Sequence, residues 1–196
     1  MSAISKPARM TAEEYFAFEL TQEETWELVD GRPVRKWRPD PLTGMAGGTH
    51  AHHVIAMNLA TSLRGLLRGG PCTPLLERKV QVPGQSFRYP DVVVDCGSTK
   101  MKDQAAAEPR VVFEVESPST SGIDALERLE EFQSIASVQA IVILSQTEAK
   151  ARLYVREGAG WRGETLQGLD AELPLASLGC ALPFAEIYEG VELASP

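Results

Sequence analysis

The sequence predicts one α/β domain, and three features carry that prediction. Apolar residues recur at helical spacing between Ala51 and Arg68. Short β-branched runs follow in quick succession, among them Tyr89-Pro-Asp-Val-Val-Val and Arg110-Val-Val-Phe-Glu-Val. Val138-Gln-Ala-Ile-Val-Ile-Leu then forms a continuous apolar run, the pattern of a strand buried on both faces. The chain has 196 residues and no internal repeat, low-complexity tract or linker, so 1–196 reads as a single domain.

Taken in order, Thr11-Ala-Glu-Glu supplies an N-cap with a carboxylate three residues on, opening a short helix to about Leu20. Residues 26–37 read as a hairpin turning at Asp30-Gly31. Gly44 to Thr49 is a small, glycine-rich loop. The amphipathic helix from Ala51 carries Val54, Ile55, Leu59, Leu63, Leu66 and Leu67 and closes at Gly69-Gly70-Pro71. Leu75 to Val82 and Phe87 to Asp95 are predicted as single strands, and Gly97 to Pro109 as a polar loop. A third strand runs from Arg110 to Ser117. Ser121 to Ala136 is a helix expected to turn Ile123, Leu126, Leu129, Phe132 and Ile135 inward. After the buried strand come a hairpin, Arg152–Arg156 with Trp161–Leu166, and a packing helix near Phe184–Tyr188. The resulting order is helix, three strands, helix, strand, with extra hairpins at both ends.

Composition narrows the function classes. An apolar content of 43% and a charged content of 23% place the chain among ordinary globular proteins. Three cysteines, Cys72, Cys96 and Cys180, are an odd number without a C-x-x-C spacing. That argues against a disulfide framework or zinc knuckle and fits a reducing cytoplasm. No signal-peptide core and no run of 18 apolar residues occurs, so a cytoplasmic location and no membrane partner are expected. The net charge of −8 disfavours a broad nucleic-acid-binding surface, but it is unevenly spread. Up to residue 107 there are 13 Lys/Arg against 12 Asp/Glu; beyond it there are 6 against 15. Any basic surface must therefore come from the first half, where Arg32, Arg35, Lys36 and Arg38 cluster, as do Arg78, Lys79 and Arg88.

Two carboxylates interrupt apolar strands: Asp91 and Glu114. Burying a carboxylate is costly unless it is paired or bound to a cation. By strand alternation Asp91 shares a face with Asp95, and Glu114 with Glu116. If the strands are neighbours, Asp91 and Glu114 can converge on a hard cation such as Mg²⁺ or Mn²⁺. The alternative is a pair of strand-end carboxylates capping a turn or pairing with Arg88 or Arg110.

Pro90-Asp91 followed by Glu114-Val115-Glu116 resembles the PD-(D/E)XK nuclease signature, and the strand order matches that superfamily's core. More closely, the chain resembles the bacterial Uma family of restriction-endonuclease-like proteins. The likeness runs nearly end to end. It takes in Met10-Thr-Ala-Glu-Glu-Tyr, Trp26-Glu-Leu-Val-Asp-Gly, Met45-Ala-Gly-Gly-Thr with His52, and Ile55-Ala-Met-Asn-Leu. It continues through Tyr89-Pro-Asp-Val-Val-Val, Glu114-Val-Glu-Ser-Pro-Ser-Thr and Ile187-Tyr-Glu-Gly-Val. The resemblance implies a restriction-endonuclease-like α/β core, with Asp91 and Glu114 as metal ligands and the Val115 carbonyl as a third. It makes Glu27 an additional acidic ligand, His52 a helix-borne histidine near the site, and Lys79 a first-strand lysine that assists on phosphate or water. Glu27 could instead be an ordinary hairpin carboxylate, and Lys79 a solvated edge-strand charge.

Two departures stand out. The superfamily lysine two residues after the glutamate is replaced by Glu116. The family's Asp-Arg…Lys pattern in the next helix is here Asp124-Ala-Leu-Glu-Arg128, which keeps charge but gives no proton-transfer base. The reading is thus a Mg²⁺- or Mn²⁺-dependent endonuclease acting on DNA, with Asp91, Glu114, Glu116, Lys79 and His52 as its catalytic set. The alternative is a catalytically weakened nuclease fold that binds nucleic acid or a protein partner without cleavage. An exposed edge hairpin makes a homodimer a further expectation.

Overall fold

The computed structural model describes residues 9–37, 48–98, 103–116 and 122–194, the side chain of Ile123 excepted. The first helix, α1 (Ala12–Glu19), begins with the expected capping box: Thr11 accepts from the Glu14 N–H, and the Glu14 side chain accepts from the Thr11 N–H. Strands β1 (Trp26–Val29) and β2 (Arg32–Arg35) form the predicted hairpin. Asp30 (φ 48°) and Gly31 (φ 75°) both lie in the left-handed region that so tight a turn requires. Of the glycine-rich loop expected over 44–49, residues 44–47 lie outside the described residues.

Helix α2 (His50–Leu66) is capped by Thr49, whose side chain accepts from the His52 N–H. The next two expected strands are each broken in two. Leu75–Val82 divides into β3 (Thr73–Leu76) and β4 (Val80–Val82), separated by Glu77 at φ 44°. Phe87–Asp95 divides into β5 (Ser86–Arg88) and β6 (Val92–Asp95), with Tyr89-Pro90-Asp91 between them. Each pair crosses from one sheet to another, at the charged run Glu77-Arg78-Lys79 in the first case and at Pro90 in the second. Strand β7 (Pro109–Val115), helix α3 (Gly122–Ser134) and strand β8 (Ala140–Leu144) follow as expected. So does the hairpin of β9 (Lys150–Glu157) and β10 (Gly160–Gln167). A second hairpin, β11 (Glu172–Leu175) with β12 (Cys180–Pro183), precedes α4 (Phe184–Ile187) and was not anticipated.

The main sheet has the order β10-β9-β8-β7-β6-β3. All its pairings are antiparallel except β7 with β8, which α3 links as a crossover. A smaller sheet, β2-β1-β5-β4, stands beside it with α1. Alternation sorts the core: Val92, Val94, Val111, Phe113 and Val115 face α2 and α4, whereas Val93, Val112 and Ile141 face Phe132 and Ile135 of the α3 segment. On α3 the expected inward stripe is incomplete, because Leu126 is 62% exposed and lines a cleft rather than the core.

Two motif residues prove structural. Asn58 donates to the Ile187 and Glu189 carbonyls, fastening α2 to the C-terminal segment. The Tyr188 hydroxyl lies within hydrogen-bond distance of both the Ser145 and Lys150 carbonyls at the β8–β9 turn, its single proton serving one at a time. Cys72 and Cys96 are joined by a disulfide, a pairing that goes against the reading of the three cysteines as outside any disulfide framework. The β3/β6 register aligns Thr73 with Asp95, so the residues just beyond them meet across the strands; 24 positions of sequence hide that contact. Cys180 is free. No helix among the described residues is long and apolar enough to cross a membrane.

Candidate functional site

Strands β6 and β7 run antiparallel with Val92 opposite Phe113, so one step further Asp91 comes opposite Glu114. The backbone pins the first of these: the Val115 N–H donates to Asp91 Oδ2 at 2.8 Å. Both residues lie on the floor of a cleft of about 660 Å³ between the β1–β2 hairpin, α3 and the main sheet. His52, on the first turn of α2, brings Nε2 to 3.4 Å from Asp91 Oδ1. Its other ring nitrogen is buried without a partner among the described residues.

Cations reach this floor from two sides. Lys36, just past β2, places Nζ 3.2 Å from Asp91 Oδ1 and 3.0 Å from Glu77 Oε1, with its side chain 4% exposed. Arg128, on α3, donates from Nη1 to Glu114 Oε1 at 3.1 Å and to Glu27 Oε1 at 3.0 Å. Glu27 also takes Arg128 Nη2, Arg88 Nη1 and the Tyr89 N–H, so four donors fill its two oxygens. Arg88 in turn grips Glu131 of α3 with two nitrogens.

The electrostatics separate the carboxylates. Burial alone would raise Asp91, but His52, the Lys36 charge and the Val115 N–H outweigh it and hold the carboxyl well below the usual range. Burial also opposes Glu27, and Arg128 and Arg88 outweigh it, leaving that carboxyl lowered. Glu114 goes the other way, pushed up to about 8 by burial and by the Asp91 charge. Arg128 offsets only part of this because its charge is shared with Glu27. Lys36, despite burial, is raised by Asp91, Glu114 and Glu77 and stays firmly charged.

Of the residues singled out in the sequence, Asp91, Glu114 and His52 come together. Glu27 stands one arginine away, as an anchor for Arg88 and Arg128. Among the described residues no three His, Cys, Asp or Glu side chains converge as metal ligands, so the acidic donor set reduces to the Asp91/Glu114 pair. Glu116 sits at the cleft rim, paired with Arg152. The placement of Lys79 is corrected. It follows the Glu77 break, next to β4 of the small sheet, and is buried against the rings of Tyr15, Phe16 and Tyr89 with Nζ 2.5 Å from Glu19. Arg88 and Arg110 do not neutralise the Asp91/Glu114 pair; Arg110 is bound to Glu108. Asp95, although on the same strand face, accepts from the Gly97, Ala107 and Glu108 N–H groups and closes a loop. A Cβ on Gly97 would stand 2.7 Å from the Ala107 Cβ, so that closure needs glycine.

Sequence reasoning passed over Lys36 as a site residue. Its one signal was membership of the Arg32–Arg38 basic cluster. Arg128 was visible only as the odd residue in a helix pattern. Gln146 gave no signal; it donates to the Glu116 carbonyl and bonds Thr49, tying the start of α2 to the end of β8.

A family model, Uma2, described as "Putative restriction endonuclease", matches residues 12–185. A protein of Synechocystis sp. (strain ATCC 27184 / PCC 6803 / Kazusa), described as uncharacterized, is 30% identical over 187 residues, covering 93% of each chain. A crystal structure of a "putative nuclease belonging to DUF820" from Anabaena variabilis superposes with a TM-score of 0.67 at 17% identity. It covers 92% of this chain and 98% of that one, a likeness of fold.

Proposed function

This chain belongs to the Uma2 family, and we propose that it is a divalent-metal-dependent endonuclease that hydrolyses phosphodiester bonds of DNA. The observation that carries the reading is the Asp91/Glu114 pair in the lining of the cleft, Asp91 immediately before β6 and Glu114 on the adjacent β7. Two carboxylates so placed repel, and burial together with the Asp91 charge raises the Glu114 carboxyl. A hard dication bound by oxygen relieves it, so the donor set fits Mg²⁺ or Mn²⁺. Asp91 and Glu114 would hold the ion. Glu27 has no oxygen to spare while its four hydrogen bonds stand.

When bound, such an ion supplies a more acidic water and stabilises charge developing on a phosphoryl oxygen. The protein's own groups do the rest. The Val115 N–H and His52 fix the Asp91 carboxylate. Arg128, held by Glu27, presents a permanent positive charge beside Glu114. Arg35 and Arg152 line the cleft with partly exposed guanidiniums, suited to the phosphates of a bound strand. The acidic remainder of the chain confines nucleic acid to this cleft.

The test is incubation of the protein with plasmid and single-stranded DNA in Mg²⁺ or Mn²⁺, beside Asp91→Ala. Cleavage by the parent and none by the variant is the expected result. Equal background in both would sink the reading. The pairing of Lys36 with Asp91 and of Arg128 with Glu114 favours a second reading, DNA binding without turnover. Under it both proteins retard DNA in gels and neither cuts.

A further inference from the structure

The Asp91 carboxylate already has a cation. Lys36 Nζ and His52 Nε2 both approach Oδ1, and the Val115 N–H occupies Oδ2. The Lys36 ammonium is buried, packed 4.8 Å from the centre of the Trp37 ring, and it faces the Glu114 charge as well as Asp91 and Glu77. Mg²⁺ bonds a carboxylate oxygen at about 2.0–2.1 Å and demands near-ideal octahedral geometry around itself. An ammonium at 3.2 Å from the same Oδ1 stands where that shell must form, and like charges so close repel.

We propose that Lys36 is a built-in occupant of the site, competing with the divalent ion for Asp91, so that metal entry requires the ammonium to swing away. The inference rests on the metal-dependent reading above. Glu77 makes the exchange feasible. It is the second partner of Lys36, its side chain is 48% exposed, and it keeps one ion pair intact when the other is given up. Lys36 thereby sets the metal concentration at which the site loads, and in metal-free protein it keeps the buried carboxylate from standing uncompensated.

Calorimetric titration with MnCl₂ of the full chain, Lys36→Met and Asp91→Ala tests this. Lys36→Met keeps the length of the side chain and removes its charge, and it should bind Mn²⁺ about tenfold or more tighter than the parent. Equal or weaker binding by Lys36→Met, with the parent binding, overturns the competition and leaves the metal reading standing. No binding by parent or Lys36→Met, or binding that survives Asp91→Ala, overturns both. A measurement on the unaltered chain removes any dependence on the variant's folding. The Lys36 ammonium resonance, followed by nitrogen-15 NMR during Mg²⁺ addition, should shift or broaden as it leaves Asp91. A signal unmoved at metal saturation would refute the exchange.

Discussion

Arg128 reaches two carboxylates from α3, and the two are held in opposite ways. On the Glu27 side, two arginines and a backbone N–H supply four hydrogen bonds, and a second glutamate, Glu131, balances the extra charge of Arg88. On the Glu114 side the same arginine offers one bond, and the nearest strand neighbour is another acid. Both groups are glutamates withdrawn from bulk water. What differs is saturation: a carboxylate whose lone pairs are filled by fixed donors is part of the framework, and one left short of donors beside a like charge is disposed to take a cation.

Removing Arg88 should break this contrast most severely. Arg88→Ala leaves Glu27 and Glu131 each missing a buried partner, and loss of one member of such a cluster costs about 3–5 kcal/mol. Denaturant unfolding should show it as a large drop in midpoint. A cost below about 1 kcal/mol would mean that Glu27 is not structurally committed.

Glu114→Gln should behave oppositely in metal-free protein, because an amide cannot ionise beside Asp91 as pH rises. A carboxyl whose folded pKa lies above its unfolded value binds its proton more tightly in the native state. Metal-free stability from Glu114 is therefore fully present below about pH 4.5 and is lost as pH rises through about 8. The parent should lose about 1–2 kcal/mol across that window, less than the full 1.4 kcal/mol per unit because Asp91 and Lys36 readjust. Thermal melts at several pH values should show this decline in the parent and not in Glu114→Gln. The same variant should lose Mn²⁺ binding. A parent profile flat with pH would mean that Glu114 is as well neutralised as Glu27.

Lys79→Met should have the smallest effect on function. Its ammonium belongs to the Glu19, Tyr15 and Tyr89 cluster, so DNA cleavage and Mn²⁺ affinity should stay within about twofold of the parent, well under the 1.4 kcal/mol that a tenfold change represents. Melting temperature should fall modestly. A loss of cleavage of a hundredfold or more would return Lys79 to the site.

The element series was legible wherever periodicity and capping acted locally. Thr11, the Asp30-Gly31 turn and the α2 stripe each have a cause within a few residues of chain, and the structure repeats them. The breaks at Glu77 and at Tyr89–Asp91 had local signs, the charged run Glu77-Arg78-Lys79 and Pro90, but the change of sheet at each had none. Which sheet each half joins is a matter of packing, and no local pattern states it. That one error also misplaced Lys79, which follows the broken strand towards the smaller sheet.

By itself the sequence determined the α/β class, the order of core elements and the acidic pair. Alternation and local propensity are encoded residue by residue, and a carboxylate inside an apolar run advertises its own cost. Only the tertiary structure decided which charges answer that cost. Lys36 and Asp91 are 55 positions apart, Arg128 and Glu27 are 101, and Cys72 and Cys96 meet only through strand register. Ion pairing depends on distance in space, and chain separations of that size carry no distance until the sheets and α3 have packed.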